Sequence, residues 1–160
     1  MPETVPVASY QVFINHRGPD VKKTLASLIY HRLTSYGLSV FLDKNELRTG
    51  DTVSPAILGA IQSASVHVAI FSERYAESSW CLDELNWILR SYHKRNTKII
   101  PVFTDVEPSD LRRVESERYA DAFENHQHKR GVAMEILEKW KTALNEASHI
   151  SGLPFKTNER

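Results

Sequence analysis

Two adjacent carboxylates, Asp83 and Glu84, lie in the run WCLDELNWILRSY, where Cys81, Leu82, Leu85, Ile88, Leu89 and Tyr92 recur at helical spacing. A helix turns about 100° per residue, so the two acids cannot face the same way. Asp83 falls almost opposite the apolar stripe and is expected in water. Glu84 falls at the stripe's edge, four residues from both Trp80 and Ile88 and three from Trp87, where an aromatic and aliphatic fringe would partly desolvate it. That makes Glu84 the better candidate for a reactive acid. The competing reading is an ordinary boundary glutamate in the first turns of its helix. Arg17-Gly18 offers a second chemistry: an arginine can fork onto phosphate oxygens, and a glycine lets the backbone approach a ligand, although a plain surface turn has the same composition. The stretch from Asp43 to Val53 is long and of mixed charge, suiting a lid, a partner-binding surface or a merely solvated loop. His126-Gln127-His128 sits in a polar segment expected to be exposed, with no third ligand nearby, so no metal site is expected.

These residues need elements to hold them. YQVFIN (10–15) reads as a strand, and HRGPD as the loop after it. From Asp20 as N-cap, the residues Val21, Leu25, Leu28, Ile29, Leu33 and Tyr36 predict a helix that stops at Gly37. LSVFL (38–42) is a second strand, and Ser54-Pro55 caps and opens a helix carrying Ile57, Leu58 and Ile61. VHVAIF (66–71) is a third strand, followed by the loop SERYAESS and a helix from Trp80 to about His93; KIIPVF (98–103) is a fourth. Residues 105–130 hold seven acids and five Lys plus Arg, which suggests short helices on a solvated face without core. From Val132 the positions Ile136, Leu137, Trp140, Ala143, Leu144 and Ala147 form an amphipathic stripe, with Trp140 in the core, ended by Ser151-Gly152. LPFK (153–156) reads as a fifth, edge strand or as tail.

Strands alternating with helices require a parallel sheet covered on both faces, a doubly wound α/β fold. In the flavodoxin-like order 2-1-3-4-5, ligands bind beyond the carboxyl ends of strands 1 and 3, where the order reverses. The two loops there are Asn15 to Asp20 and Ser72 to Ser79, the second leading into the helix of Glu84.

Composition narrows the function. The 160 residues are enough for one domain, with 41% hydrophobic and 25% charged residues at globular averages. Twenty basic residues balance twenty acidic ones, so no overall field recruits nucleic acid or an anionic membrane. Cys81 is alone and cannot form an internal disulfide, the N-terminus lacks the blocks of a signal peptide, and no apolar run has membrane-spanning length, so a soluble cytosolic protein is expected. There is no GxGxxG after strand 1 and no GxxxxGK[ST], which removes the usual dinucleotide and P-loop cradles. Strand 1 ends in Asn15-His16 and strand 3 in Ser72, without the acidic cluster that a phosphoacceptor receiver needs.

Four strings in order, YQVFINHRGPD, FLDKNELRTGDTVSPAILGAI, FSERYAESSWCLDEL and IIPVFTDVEPSDLR, resemble a plant Toll/interleukin-1 receptor (TIR) domain of the TIR-only type. The resemblance covers roughly residues 9–152 and leaves 1–8 as a tail and 153–160 as a tail or edge strand. It implies a flavodoxin-like fold and cytosolic innate-immune and cell-death signalling. It also implies cleavage of NAD+, possibly also NADP+, by a domain activated through homotypic association. NAD+ would be the substrate, with no resident cofactor. The family's catalytic glutamate matches Glu84; Arg17, Gly18, Ser78 and Trp80 would line the nucleotide pocket. Arg48, Thr49 and Gly50 in the long loop, and Ser27 on the first helix, would serve self-association. One carboxylate suffices for such a reaction because nicotinamide leaves as a neutral molecule, whereas O-glycosidases need two. The family's usual Phe-Arg-Gly-Glu-Asp reads His16-Arg17-Gly18-Pro19-Asp20 here, and its Ser-His pair reads Ser27-Leu28, which implies a reshaped pocket entrance and an altered association face. A non-catalytic adaptor that only binds other TIR domains is the alternative.

Overall fold

A computed structural model describes residues 9–17, 25–42 and 53–156. Five strands, β1 (Val12–Asn15), β2 (Val40–Leu42), β3 (Val66–Phe71), β4 (Lys98–Thr104) and β5 (Leu153–Phe155), form one sheet in the order β2-β1-β3-β4-β5. All neighbours are parallel. This is the expected flavodoxin-like order. The helices are α1 (Leu25–Ser35), α2 (Pro55–Ser63), α3 (Ser79–Arg95), the short α4 (Pro108–Arg112) and α5 (Ala120–Glu124), and α6 (Met134–Ser148). The expected Asp20 cap and Val21 fall outside the described residues, as do the 1–8 tail and residues 157–160.

The apolar strands read as continuous runs because successive residues enter two different cores. Val12, Ile14, Val68, Ile70 and Val102 face α1; Phe13, Ala69, Phe71, Ile99 and Phe103 belong to the larger core shared by α2, α3 and α6. Local chemistry sets the helix ends. Ser54 caps α2 through Oγ, which accepts from the Ile57 N–H, with Pro55 at the first helical position. Gly37, at φ 86°, supplies the left-handed residue after α1. Gly152 connects α6 to β5 where a Cβ would stand 2.5 Å from the Pro101 carbonyl oxygen, so no larger residue fits.

Three expectations are corrected. Leu28 and Tyr36 are not core but 65% and 71% exposed. The contact stripe of α1 runs through Leu25, Ala26, Ile29, Tyr30 and Leu33 instead, and Ile136 on α6 is likewise exposed. Residues 105–130 do contribute core: Val106, Leu111, Val114, Tyr119, Ala122, Phe123 and His126 are buried. A short helix needs only one buried residue per turn, so a charge-rich segment can still present an apolar edge. β5 forms at LPF on the sheet edge, pairing Val102 with Leu153 and Thr104 with Phe155, where Pro154 is tolerated. No helix among the described residues is long and apolar enough to cross a membrane.

Candidate active site at the carboxyl ends of β1 and β3

The order of the sheet reverses between β1 and β3, and their carboxyl ends open the crevice in which such folds bind ligands. After β3 the chain makes one 3-10 turn (Tyr75–Glu77) and enters α3. Ser78 is the N-cap, its Oγ accepting from the Cys81 N–H at 3.2 Å. The structural role of Ser78 is thus a helix cap. The thiol of Cys81 donates to the His16 carbonyl at 3.3 Å, tying the first turn of α3 to the residue after β1.

Glu84, one turn further on, is buried at 4% exposure. It lies deeper than the fringe position that the helical wheel suggested. Asn15, the last residue of β1 and itself fully buried, donates through Nδ2 to Glu84 Oε1 at 3.0 Å and faces the Cys81 carbonyl at 3.4 Å. Tyr75 completes the group: its hydroxyl donates to Asn15 Oδ1 and lies 3.1 Å from the Cys81 carbonyl. Burial, reinforced by the negative potential of Cys81 and Glu84, pushes the Tyr75 hydroxyl well above the usual phenol range, so it remains a donor. A carboxylate with one oxygen fixed by an amide N–H can stabilise a developing cation or hold a hydroxyl.

Arg17 is mostly buried, at 19% exposure, with a guanidinium nitrogen 3.8 Å from Glu77 Oε1. Arg74 holds the same carboxylate through Nε and Nη2 at 2.9–3.2 Å. The Arg74 hydrogen bond is the main reason the Glu77 carboxyl titrates below its ordinary range. The arginine expected to meet a phosphate therefore faces an internal carboxylate. Trp80 is half-buried at the second position of α3. Gly18, Arg48, Thr49 and Gly50 lie outside the described residues. Ser27 is on α1, across the sheet from α3, and is not brought to this site.

Two further expectations change. Asp83 does not simply face water: its Oδ1 accepts from Trp140 Nε1 at 2.8 Å, so the core indole of α6 keeps a polar tip satisfied by α3. His126 is fully buried rather than exposed, with Nε2 2.8 Å from the Ala76 carbonyl and its ring 5.1 Å from that of Trp140. Desolvation lowers its pKa, so the neutral ring donates from Nε2 and braces the turn that carries Tyr75. Among the described residues no three His, Cys, Asp or Glu are grouped to hold a metal ion. Asn15 and Tyr75 escaped sequence reasoning. A polar residue closing an apolar strand beside the switch point was a usable signal for Asn15; Tyr75 gave none, because its direction depends on the 3-10 turn.

A family model described as TIR domain matches residues 9–159. The chain is 38% identical, over 90% of its length, to the TMV resistance protein N of Nicotiana glutinosa, of which it spans 12%. It is 40% identical, over 91% of its length, to the probable 2' cyclic ADP-D-ribose synthase BdTIR of Brachypodium distachyon, of which it spans 59%. The chain thus covers less than two thirds of either relative. Among solved structures it is similar to the TIR domains of the activated Roq1 resistosome recognizing the effector XopQ, with a TM-score of 0.82 and 34% identity, over 91% of this chain and 87% of that one.

Proposed function

The chain belongs to the TIR domain family, and from that premise we propose that it is an NAD+ nucleosidase acting through Glu84 in plant immune and cell-death signalling. The observation that carries this reading is the buried Glu84 carboxylate at the sheet's switch point, its Oε1 fixed 3.0 Å from the Asn15 amide nitrogen. The bond from ribose C1′ to the nicotinamide nitrogen breaks with its electron pair going to the ring, which departs neutral and needs no general acid. Glu84 stabilises the oxocarbenium-like ribose as ion partner, transient nucleophile or ligand of the ribose hydroxyls. Water then attacks C1′ and releases its proton, giving ADP-ribose; attack from the adenine-bearing half of the same molecule gives a cyclic isomer instead, the class of product named for the Brachypodium relative.

In this reading Arg17 and Gly18 hold the pyrophosphate of NAD+ or NADP+, Trp80 stacks on a planar ring, and Ser78 keeps the helix end in place. No resident cofactor is required. Ser27 and the loop residues Arg48, Thr49 and Gly50 serve homotypic TIR association, which supplies activation in the cytoplasm. Release of nicotinamide from NAD+ by concentrated purified protein, compared with Glu84→Ala, tests the proposal. The second reading, a non-catalytic TIR adaptor, is favoured by the pairing of Arg17 with Glu77, and release by neither protein would establish it.

A further inference from the structure

Glu84 ends a chain of buried hydrogen bonds whose direction is fixed. The side-chain amide of Asn15 has two unlike ends, and each meets its complement. Around Nδ2 lie two acceptors, Glu84 Oε1 at 3.0 Å and the Cys81 carbonyl at 3.4 Å, while Oδ1 accepts from the Tyr75 hydroxyl. Turned over, the amide would set its oxygen against both acceptors. Tyr75 and Asn15 are fully buried and Glu84 nearly so, so water does not substitute for a lost partner without rearrangement. The phenol is in turn set by the 3-10 turn, whose Ala76 carbonyl accepts from His126 Nε2 at 2.8 Å.

We propose that Asn15 and Tyr75 are positioning residues for Glu84. The amide N–H holds one carboxylate oxygen and favours the ionised form, and the Tyr75 hydroxyl locks the amide in the orientation that does so. This rests on Glu84 being the acid that acts on the substrate. The positioning residues touch no reacting atom; they decide how the carboxylate plane is set when the substrate arrives.

The variants are Asn15→Leu, which keeps the volume and removes both bonds, Tyr75→Phe, which removes one oxygen, and the two combined. With NAD+ at saturating protein concentration, Asn15→Leu lowers kcat about ten- to a hundredfold, the rate equivalent of one hydrogen bond to a charged group, with KM little changed. Tyr75→Phe lowers kcat about three- to tenfold. The double variant is no slower than Asn15→Leu alone, because the hydroxyl acts only through the amide. Additive losses overturn the relay, and unchanged kcat in a folded Asn15→Leu protein overturns the positioning role.

A readout independent of turnover is the carbon-13 resonance of the Glu84 carboxyl, assigned by its absence in Glu84→Gln. Its titration midpoint moves up in Asn15→Leu and, by less, in Tyr75→Phe, since each change weakens the bond to the ionised form. Tyr75, Tyr119 and Cys81 surround the pair, and phenols and thiols titrate above the carboxylate range. Asp83 is turned to Trp140, and the contribution of His16 and Arg17, next along the chain from Asn15, is separated by repeating the titration in His16→Gln and Arg17→Gln backgrounds. Midpoints that stay where they are in all variants overturn the proposal. Shifted midpoints in a protein that never releases nicotinamide support the coupling and overturn only the assigned reaction. Should Asn15→Leu fail to fold, Tyr75→Phe decides by the same two measurements.

Discussion

The indole of Trp140 donates to Asp83 Oδ1 across 2.8 Å, one residue along the helix from the carboxylate that Asn15 holds. Neighbouring acids on α3 are thereby divided between two tasks. Replacing Asp83 by Ala leaves the buried indole N–H without its partner and lowers stability by about 1–3 kcal/mol, while nicotinamide release per folded molecule stays near the wild-type value. Glu84→Ala does the reverse: thermal stability changes little or rises, and release falls by about a hundredfold or more. Equal activity losses in the two folded variants would show that the division is wrong.

Arg17 and Glu77 give an opposed pair of kinetic effects. The 3.8 Å contact is weak and partly exposed on the glutamate side, so Arg17→Ala costs little stability but raises KM for NAD+ about tenfold if the guanidinium holds the pyrophosphate. Glu77→Gln removes the internal anion that competes for the same guanidinium, and KM falls several-fold. A large fall in Tm with unchanged kinetics in Arg17→Ala would make the arginine structural.

Buried histidines set an acid limit to stability. Burial lowers the pKa of both His67 and His126 below the ordinary 6.5, so the folded state resists a proton that the unfolded chain accepts. Their contribution is complete above about pH 6.5 and is lost as pH falls through that value toward the depressed folded pKa. Tm measured from pH 7.5 to 5 should decline, and His67→Gln should flatten the decline. The depressed carboxyl of Glu77 acts at lower pH, below its ordinary 4.5. A Tm constant down to pH 5 would contradict the burial of these rings.

If association completes the active site, specific activity rises with protein concentration by mass action. Arg48→Glu, a change suggested by the resemblance alone, should lower activity at moderate concentration and recover at high concentration. The balanced charge of the chain opposes neither state, and Leu28, 65% exposed on α1, leaves that face without the family's usual histidine. Activity that stays flat across a roughly hundredfold dilution would mean that each monomer carries a complete site.

The elements with an unbroken pattern were legible: β3 spans the expected residues 66–71, Ser54-Pro55 opens α2, and the 2-1-3-4-5 order followed from alternation alone. Glu84 emerged as the favoured acid because helical geometry separates it from Asp83. What the sequence hid were long-range pairings of polar residues. Asn15 to Glu84 and Trp140 to Asp83 join residues 69 and 57 positions apart, and a polar group that finds its partner in the core leaves no periodic trace. His126 was misplaced for the same reason, since its burial depends on Ala76 and Trp140 rather than on its polar neighbours.

The three-residue β5 has a consequence for how the molecule opens. It is an edge strand with all three residues exposed, and its Phe155 carbonyl accepts from the Asp105 N–H at 3.0 Å. Fraying of such a strand needs far less free energy than global unfolding. The Asp105 amide should therefore exchange its hydrogen on the schedule of β5, while the amides of Val68 and Ile70, in the central strand, exchange only when the whole sheet comes apart. Looseness at the end of the chain is thus delivered to the loop after β4, giving that rim of the sheet a breathing rate of its own.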